Sequence, residues 1–424
     1  MNNNKTGMLT VLKNRDFLAL WLSQLVSKVG DNFAVVAALV LINELAAKPG
    51  LAVIVIAAAM TIPQLFALAS GVLVDRYSRK SVMILTDLVR AAVILLALLV
   101  KEPGHLYILY LTAFAVMAAG AVFVPARNAS VPNLVPPEHL LTANALIQAT
   151  ELVSLIVGAS LATLVISLNS TSTAFIVDSA TFLISALLLV AARIPQVAST
   201  VPSAGTRGQL REFWTSFLDG VRYIGQNRHL LQLMAITTMA TLGLSATILV
   251  TAAYFKQLTG MSAAYVGLLQ AMEGLGMAAG AVLISLYASW ARSREIVSAT
   301  MIVLGGGILV FALAPTYWLI LVGALVVGFC VVAARTTLAA MSQALVPDSQ
   351  RGRVESAMVS VIGIGTMGAL IMAGVLGDLF GPKSTFLLTG VVVLVAGIAS
   401  IYTLRDAAAR LHNGGDTTPQ PPQE

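Results

Sequence analysis

Long runs of apolar residues dominate the chain, and several contain no Asp, Glu, Lys or Arg. A helix needs about 20 apolar residues to cross the hydrocarbon core of a bilayer. One uncharged run, 296–334, is about twice that length and is interrupted at Ala314-Pro315-Thr316, which predicts two helices joined by a tight turn. The other uncharged runs of sufficient length are 51–74, 106–126, 152–177, 230–255, 356–377 and 384–404. With the spans that carry single charges, the pattern predicts an all-α membrane protein with twelve transmembrane helices.

The composition excludes a water-soluble globular protein. Hydrophobic residues make up 58% of the chain and charged residues 10%, against about 25% charged residues in a soluble domain. The 25 basic and 19 acidic residues cannot cover a 44.3 kDa globule in water. A single cysteine, Cys330, excludes an internal disulfide, and four histidines give no pattern of a metal site. We therefore expect no metal and no bound cofactor.

The placement of the basic residues predicts the orientation in the membrane. If both termini are cytoplasmic, the inside segments carry seventeen Lys and Arg residues, whereas the outside loops carry only Lys48, Lys101, Lys256 and Lys383. Cytoplasmic loops of membrane proteins are enriched in these residues. The net charge of +6 therefore reflects topology rather than binding to nucleic acid.

The chain divides at a polar segment into two similar parts. We predict a first six-helix half at 1–194, a linker at 195–228, a second half at 229–405 and a disordered cytoplasmic tail at 406–424. The first part of the linker is predicted to be flexible. The second part has apolar residues at helical spacing, which predicts an amphipathic helix on the cytoplasmic surface. Leu134-Val135-Pro136 recurs as Leu345-Val346-Pro347, at an offset of 211 residues. Since six is an even number, both halves start on the same side, and parallel repeats of this kind enclose a central solute site.

One segment after the second predicted span carries a family signature. Residues 71–80 read Gly-Val-Leu-Val-Asp-Arg-Tyr-Ser-Arg-Lys and resemble the signature of the major facilitator superfamily, which has glycine in place of Ser78. Within it, the chain resembles the bacterial branch that includes macrolide exporters and the enterobactin exporter. The residues that carry this resemblance lie in 23–31, 125–129, 144–146, 174–178, 334–337, 345–348 and 351–354. The resemblance implies a monomeric transporter of the bacterial inner membrane.

An acidic residue lies about midway along the first span. An ionised carboxylate at that depth costs about 2.5–3.5 kcal/mol on insertion scales. Lys28 precedes Asp31 by three residues on the same helix face, so an ion pair within the helix is available. Two interpretations stay open: a structural pair that fixes helix packing, or a cavity carboxylate whose proton or substrate contact Lys28 tunes.

Three further acidic residues are candidates for proton coupling or for the substrate cavity. Glu151 in the fifth span and Glu273 in the eighth each stand alone in their helix. Two interpretations stay open for each of them. The residue is a proton carrier, or it faces a cation of another helix and stabilises the helix bundle. An acidic residue at the position of Asp178, in the sixth span, recurs in the branch that the chain resembles. This resemblance fits a role in gating or structure as well as a role in transport.

The signature segment predicts a cytoplasmic gate. Together with acidic and basic residues of the third span, it forms salt bridges and helix-end contacts in the outward-open state of the family. A plain positive-inside anchor explains the basic residues of the loop equally well. The predicted gate residues are Gly71, Asp75, Arg76, Arg79, Lys80, Asp87 and Arg90.

Two arginines end predicted helices near the cytoplasm. Arg127 and Arg335 are therefore interpreted as membrane anchors, since the helix dipole and snorkelling favour arginine at this end of a helix. The deeper Arg335 could also meet an anionic substrate group.

A GxGxxG pattern at 363–368 lies in an uncharged helix with no preceding strand, so helix packing explains it better than nucleotide binding.

The sequence therefore predicts a secondary active transporter that uses the proton gradient to export lipophilic small molecules such as drugs or macrolides by alternating access. Its partners are a small-molecule substrate and membrane lipid, with no nucleic acid. Alternatives with the same fold are a siderophore exporter or a lysophospholipid flippase. An alternative of another class is a receptor or regulator that moves no solute. We expect no enzymatic activity, because no nucleophile, metal cluster or pair of catalytic carboxylates is evident.

Overall fold

The computed structural model describes residues 10–65, 77–195, 218, 221–287, 293–314, 316–346 and 348–404. Helices form the regular structure of these residues, and none of them lies in a β-strand. The long helices are α1 (Arg15–Leu45), α2 (Pro49–Leu65), α3 (Arg79–Ile94), α4 (Leu106–Ser130), α5 (Leu140–Leu168), α6 (Thr171–Ala191), α7 (Arg228–Thr259), α8 (Val266–Tyr287), α9 (Ser293–Leu313), α10 (Tyr317–Leu345), α11 (Asp348–Phe380) and α12 (Pro382–Thr403).

The described chain contains 10 helical stretches that are long and apolar enough to cross a membrane by length and composition. Their large apolar side chains are often exposed in mid-helix, as at Val153 and Leu183, which is the pattern expected where lipid replaces water. The predicted break in the run 296–334 is confirmed, because α9 ends at Leu313 and α10 begins at Tyr317.

Polar residues mark where several helices begin. The side chain of Asn14 accepts hydrogen bonds from the backbone N–H groups of Asp16 at 3.0 Å and Phe17 at 3.1 Å at the start of α1. Ser78 caps α3 and Ser170 caps α6 in the same way. Such caps satisfy backbone donors that have no partner within the helix.

The helices group into two compact units. The first lies within Met1–Thr206 and Ala252–Ala271, and the second within Arg207–Thr251 and Met272–Glu424. In the first unit α1 packs against α5 and α6, while α3 packs against α4 and α6 and α2 against α4. In the second, α9 packs against α10 and α12.

Part of the predicted linker and the whole of the predicted tail lie outside the described residues. Of the predicted amphipathic helix, the structure describes Leu218 and the residues from 221 onward, which are helical over 221–226, with Ile224 buried. Residues 405–424, which include the predicted tail, are outside the description.

Candidate functional site

Two glycines bring α1 very close to its neighbours in the first unit. A β-carbon at Gly30 would contact Thr181 Oγ1 of α6 and lie 2.6 Å from Asp178 Oδ1. A β-carbon at Gly158 of α5 would lie 2.7 Å from the carbonyl oxygen of Val29. Because only glycine fits such approaches, the residues next to Gly30 are held against the interior of the unit.

Arg90 of α3 connects two carboxylates inside this unit. Its Nη2 lies 3.5 Å from Asp31 Oδ1, and its Nη1 lies 3.3 Å from Asp87 Oδ1. Its guanidinium carbon lies 4.3 Å from the centroid of the Phe182 ring, a cation–π distance. Ser185 Oγ donates to Asp87 Oδ2 at 2.6 Å. The structure thus brings the predicted residues Asp31, Asp87 and Arg90 into one buried network.

Asp178 of α6 lies beside this network but is not paired within it. Its side chain is fully buried, and its Oδ1 accepts a long contact from Thr181 Oγ1 at 3.4 Å. Its Oδ2 has no hydrogen-bond partner, and Asp178 forms no ion pair with any described residue. The interior of the first unit therefore holds one carboxyl group that forms no ion pair with a described residue.

Lys28 links the network to α5. Its Nζ lies 3.6 Å from Asp31 Oδ2 and 3.6 Å from Glu151 Oε1. The pair with Asp31 follows from their spacing on α1, whereas the pair with Glu151 joins two helices. Glu151, which stands alone in its own helix, thus faces a cation of α1, and about half of its side chain is exposed.

The second unit contains a buried acid of a different kind. Glu273 of α8 is 4% exposed, and its Oε1 has no hydrogen-bond partner among the described residues. Gly328 of α10 packs directly against its backbone, where a β-carbon would contact the Glu273 carbonyl oxygen. Arg335 lies on α10 of the same unit, is exposed and forms no ion pair with a described residue.

The four predicted gate residues that the structure describes separate into two groups. Arg79 Nη1 donates to the Ala129 carbonyl oxygen at the end of α4 at 2.6 Å. Lys80 Nζ donates to the carbonyl oxygens of Val190 at 2.7 Å and Ala192 at 2.8 Å at the end of α6. Asp87 and Arg90 instead lie in the buried network described above. Gly71, Asp75 and Arg76 lie outside the described residues.

Sequence reasoning missed several polar partners of these charges. Thr181 and Ser185 follow Asp178 at helical spacing on one face of α6, and that polar stripe on an apolar helix was the available signal. On α1, Gln24 precedes Lys28 by one turn, and its Oε1 accepts a hydrogen bond from Arg127 Nη1 at 3.0 Å.

The glycine pattern at 363–368 lies within α11, where no strand precedes it among the described residues. A β-carbon at Gly365 would lie 2.9 Å from Thr238 Cγ2 of α7. This contact is one of helix packing, as the sequence predicts.

Comparison with known proteins identifies the family of this helical bundle. Residues 6–422 match the family model described as "transmembrane secretion effector". Macrolide efflux protein A of Streptococcus pyogenes is 24% identical over 395 residues, which cover 90% of this chain and 94% of that protein. The uncharacterized MFS-type transporter YkuC of Bacillus subtilis is 24% identical over 357 residues, 81% of each chain. The crystal structure of the nucleoside transporter NupG has a TM-score of 0.69 at 14% identity, covering 92% of this chain and 99% of that one.

The family match spans nearly the whole chain, the relatives are aligned over most of their length, and the helical fold is that of known transporters. The chain therefore belongs to the transmembrane secretion effector family of the major facilitator superfamily, in the macrolide efflux branch, and is a multi-pass membrane transporter rather than an enzyme.

Proposed function

We propose that this transporter exports lipophilic small molecules across the bacterial inner membrane in exchange for protons, by alternating access of two parallel six-helix repeats. It needs no cofactor and acts as a monomer. The observation that carries the proposal is the presence of two buried carboxyl groups, Asp178 and Glu273, that have an unpartnered oxygen and no ion pair among the described residues.

Buried acids of this kind suit a proton-coupled cycle. An ionised carboxylate in the membrane costs about 2.5–3.5 kcal/mol when nothing compensates its charge. A bound proton removes this charge, and exposure to water during transport allows its release. Gly30, the residue before Asp31, packs against Asp178, and Asp31 contacts Arg90. A rearrangement of Asp31 and Arg90 during transport would therefore change the surroundings of Asp178 and alter proton binding there.

The proton gradient supplies enough energy for such export. A membrane potential of 100 mV contributes about 2.3 kcal/mol per charge, and a pH difference of one unit adds about 1.4 kcal/mol. Each proton can therefore support more than about a tenfold concentration ratio of a neutral solute.

The helix positions support the proposed repeats. α4 and α10 begin at Leu106 and Tyr317, and α6 and α12 begin at Thr171 and Pro382. Each pair is separated by the 211 residues found in the sequence comparison. In the first unit, Asp16 Oδ1 at the start of α1 accepts from the Arg193 backbone N–H just after α6 at 2.8 Å, so the start of α1 and the end of α6 lie at one face of that unit.

The relatives and the apolar helices support the proposed substrate class. One relative is named as a macrolide efflux protein, and the mostly apolar helices of this chain suit lipophilic compounds. Arg335, exposed and without an ion pair to a described residue, keeps an anionic cargo such as a siderophore or lysolipid as the second candidate.

Transport by the purified protein in proteoliposomes tests the proposal. We expect a pH gradient to drive uptake of radiolabelled erythromycin, and we expect a protonophore to abolish it. Glu273→Gln and Asp178→Asn should each reduce the proton-driven rate about tenfold or more, the range expected when a positioned proton-transfer group is lost. Glu44→Gln, which removes an exposed carboxylate at the end of α1, is the matched control.

Transport that persists after collapse of the gradient would contradict proton coupling. Loss of transport in Arg335→Gln but not in Glu273→Gln, measured with lysophosphatidylglycerol, would favour the anionic cargo. If a panel of lipophilic and anionic compounds showed no gradient-dependent movement at all, the protein would not be an exporter of either kind.

A further inference from the structure

A polar cleft lies where the end of the linker meets the start of α7, within the second unit. Its volume is about 360 Å³, and sites for small ligands have volumes of about 300–1,000 Å³. None of the described residues that line it is acidic, and their side chains offer hydrogen-bond donors and the permanent positive charge of an arginine. These residues are Tyr223, Gln226, Asn227, Arg228 and His229.

His229 is the buried member of this lining. It is 2% exposed, and neither Nδ1 nor Nε2 has a hydrogen-bond partner among the described residues. An imidazole ring always carries at least one N–H donor, and buried polar atoms without partners are rare in proteins. A ring that lines a cleft with both nitrogens unused therefore points to a ligand that occupies the cleft.

The start of α7 is held in place by a capping residue. Asn227 Oδ1 accepts hydrogen bonds from the backbone N–H groups of His229 at 3.1 Å and Leu230 at 3.4 Å. The Asn227 backbone N–H donates to the carbonyl oxygen of the buried Ile224 at 3.1 Å. These bonds fix the turn that leads into α7 and place Arg228 and His229 in its first helical turn. The N-terminal end of a helix carries partial positive charge, so this position favours a ligand with negative charge.

Apolar side chains that flank the cleft residues in sequence are exposed. Leu218 is 59% exposed and Val221 is 37% exposed, and Leu231 of α7 is 41% exposed. Leu218 and Val221 are both helical and three residues apart, which places them on one helix face. Exposed apolar side chains beside polar and basic ones are typical of a helix in the interface of a bilayer, where lipid headgroups lie.

The lining distinguishes among ligand classes. A metal cation would meet the positive charge of Arg228, and the described residues contain no group of three or more side chains that could hold a metal ion. A neutral molecule would gain nothing from the guanidinium charge. A phosphate group fits the lining, because a guanidinium can donate two parallel hydrogen bonds to phosphate oxygens and an imidazole or a phenol can donate one more each.

We propose that this cleft binds a phosphate group, with Arg228 and His229 as its main donors and Tyr223 as a further donor. A lipid headgroup and a soluble phosphate compound share this chemistry, and the exposed apolar side chains favour the lipid. A bound lipid would hold the start of α7 at the membrane surface. None of the residues assigned to proton coupling takes part, so the site goes beyond the proposed function and does not depend on it.

Equilibrium binding to the purified full-length protein in detergent tests this assignment. The probe is radiolabelled dihexanoyl-phosphatidylglycerol, and the comparison ligand is radiolabelled dihexanoylglycerol, which has the same chains and no phosphate. We expect the wild-type protein to bind the phospholipid at least about tenfold more tightly, an effect typical of a hydrogen bond to a charged group.

A competition measurement separates the two sources of phosphate. Displacement of the probe by inorganic phosphate at concentrations similar to those of unlabelled phospholipid would support the phosphate site and assign it to soluble phosphate compounds. Displacement by unlabelled phospholipid alone would support the site and assign it to a lipid headgroup.

Four variants separate the cleft from general surface charge. Arg228→Gln and His229→Phe should each weaken binding of the phospholipid about tenfold or more and leave binding of dihexanoylglycerol unchanged. Tyr223→Phe removes a single hydroxyl group and should weaken phospholipid binding by about threefold, since its donor is neutral. Arg222→Gln is the matched control, because it removes the same charge from an exposed residue that does not line the cleft, and it should change neither ligand.

Equal wild-type affinity for the phospholipid and for dihexanoylglycerol would overturn the assignment. Equal losses in Arg222→Gln and Arg228→Gln would also overturn it, since the attraction would then come from the basic surface as a whole. A monodisperse elution profile shows that each variant is folded. If His229→Phe does not fold, the comparison of Arg228→Gln and Tyr223→Phe with Arg222→Gln decides the outcome.

Discussion

At the scale of single residues, Arg90 determines whether acidic groups can be accommodated in the interior of the first unit. It lies between Asp31 and Asp87 and is itself almost fully buried. Removing one partner of a buried ion pair leaves an uncompensated charge, which is usually more destabilising than removing both partners. The stability of the unit should therefore depend on the balance of these charges rather than on any one of them.

Arg90→Met tests this balance, because the side chain keeps its apolar stem and loses its charge. We expect a loss of about 3–5 kcal/mol in the free energy of unfolding, measured as a lower melting temperature of the purified protein in detergent. Adding Asp87→Asn should recover part of the loss, since the double variant no longer buries that unpaired carboxylate. An unchanged melting temperature, or additive losses in the double variant, would contradict the network.

The same residues show how far sequence reasoning reaches at this scale. The spacing of Lys28 and Asp31 predicts their ion pair, because both lie on one face of one helix. The contacts of Arg90 with Asp31 and of Lys28 with Glu151 join different helices. Such contacts depend on how closely the helices approach, and Gly30 and Gly158 set that approach. Periodicity within one helix carries no information about it.

At the scale of helices, basic side chains at the start of α3 donate hydrogen bonds to the C-terminal carbonyl groups of two other helices. The last carbonyl groups of a helix have no partner within it and carry partial negative charge. Arg79 donates to the end of α4, and Lys80 donates to two carbonyl oxygens at the end of α6. The sequence predicts helix-end contacts for the signature segment, but the identity of the helices that receive them is visible only in the structure.

Lys80→Met removes the donor at the end of α6 and keeps a side chain of similar length. We expect faster hydrogen–deuterium exchange in the peptide that contains Val190 and Ala192, by a factor of about two to five, which corresponds to the 0.3–1 kcal/mol typical of a cation at a helix C-terminus. Lys101→Met, which changes an exposed lysine between α3 and α4, should leave that peptide unchanged. Equal exchange in wild type and Lys80→Met would show that the contact does not hold the helix end.

The helices themselves are largely predictable because the membrane imposes a strong pattern. Backbone groups in hydrocarbon must be satisfied within the helix, so uncharged runs and helices coincide, and the interruption at 314–316 separates α9 from α10. Local geometry is less predictable. The end of α3 tightens into a 3₁₀ turn over Leu95–Leu99, within a continuous apolar run that gives no signal of the change.

At the scale of the whole molecule, the orientation in the membrane fixes which face of the first unit meets the cytoplasm. The start of α1, the start of α3 and the ends of α4 and α6 lie at one face of this unit, as the contacts of Asp16, Arg79 and Lys80 show. The basic residues of the predicted cytoplasmic segments concentrate at the same chain positions. If the positive-inside rule holds for this chain, that face is cytoplasmic.

Single-cysteine labelling in intact cells tests this orientation. The native Cys330 is buried and is first replaced by alanine. Lys101→Cys, in the turn between α3 and α4, should then react with a membrane-impermeant maleimide in intact cells, because that turn is at the opposite end of both helices from Arg79 and Ala129. Arg193→Cys, at the exposed position after α6, should react only after the cells are made permeable. The reverse pattern would place both termini outside and would invert the direction of proton-driven transport.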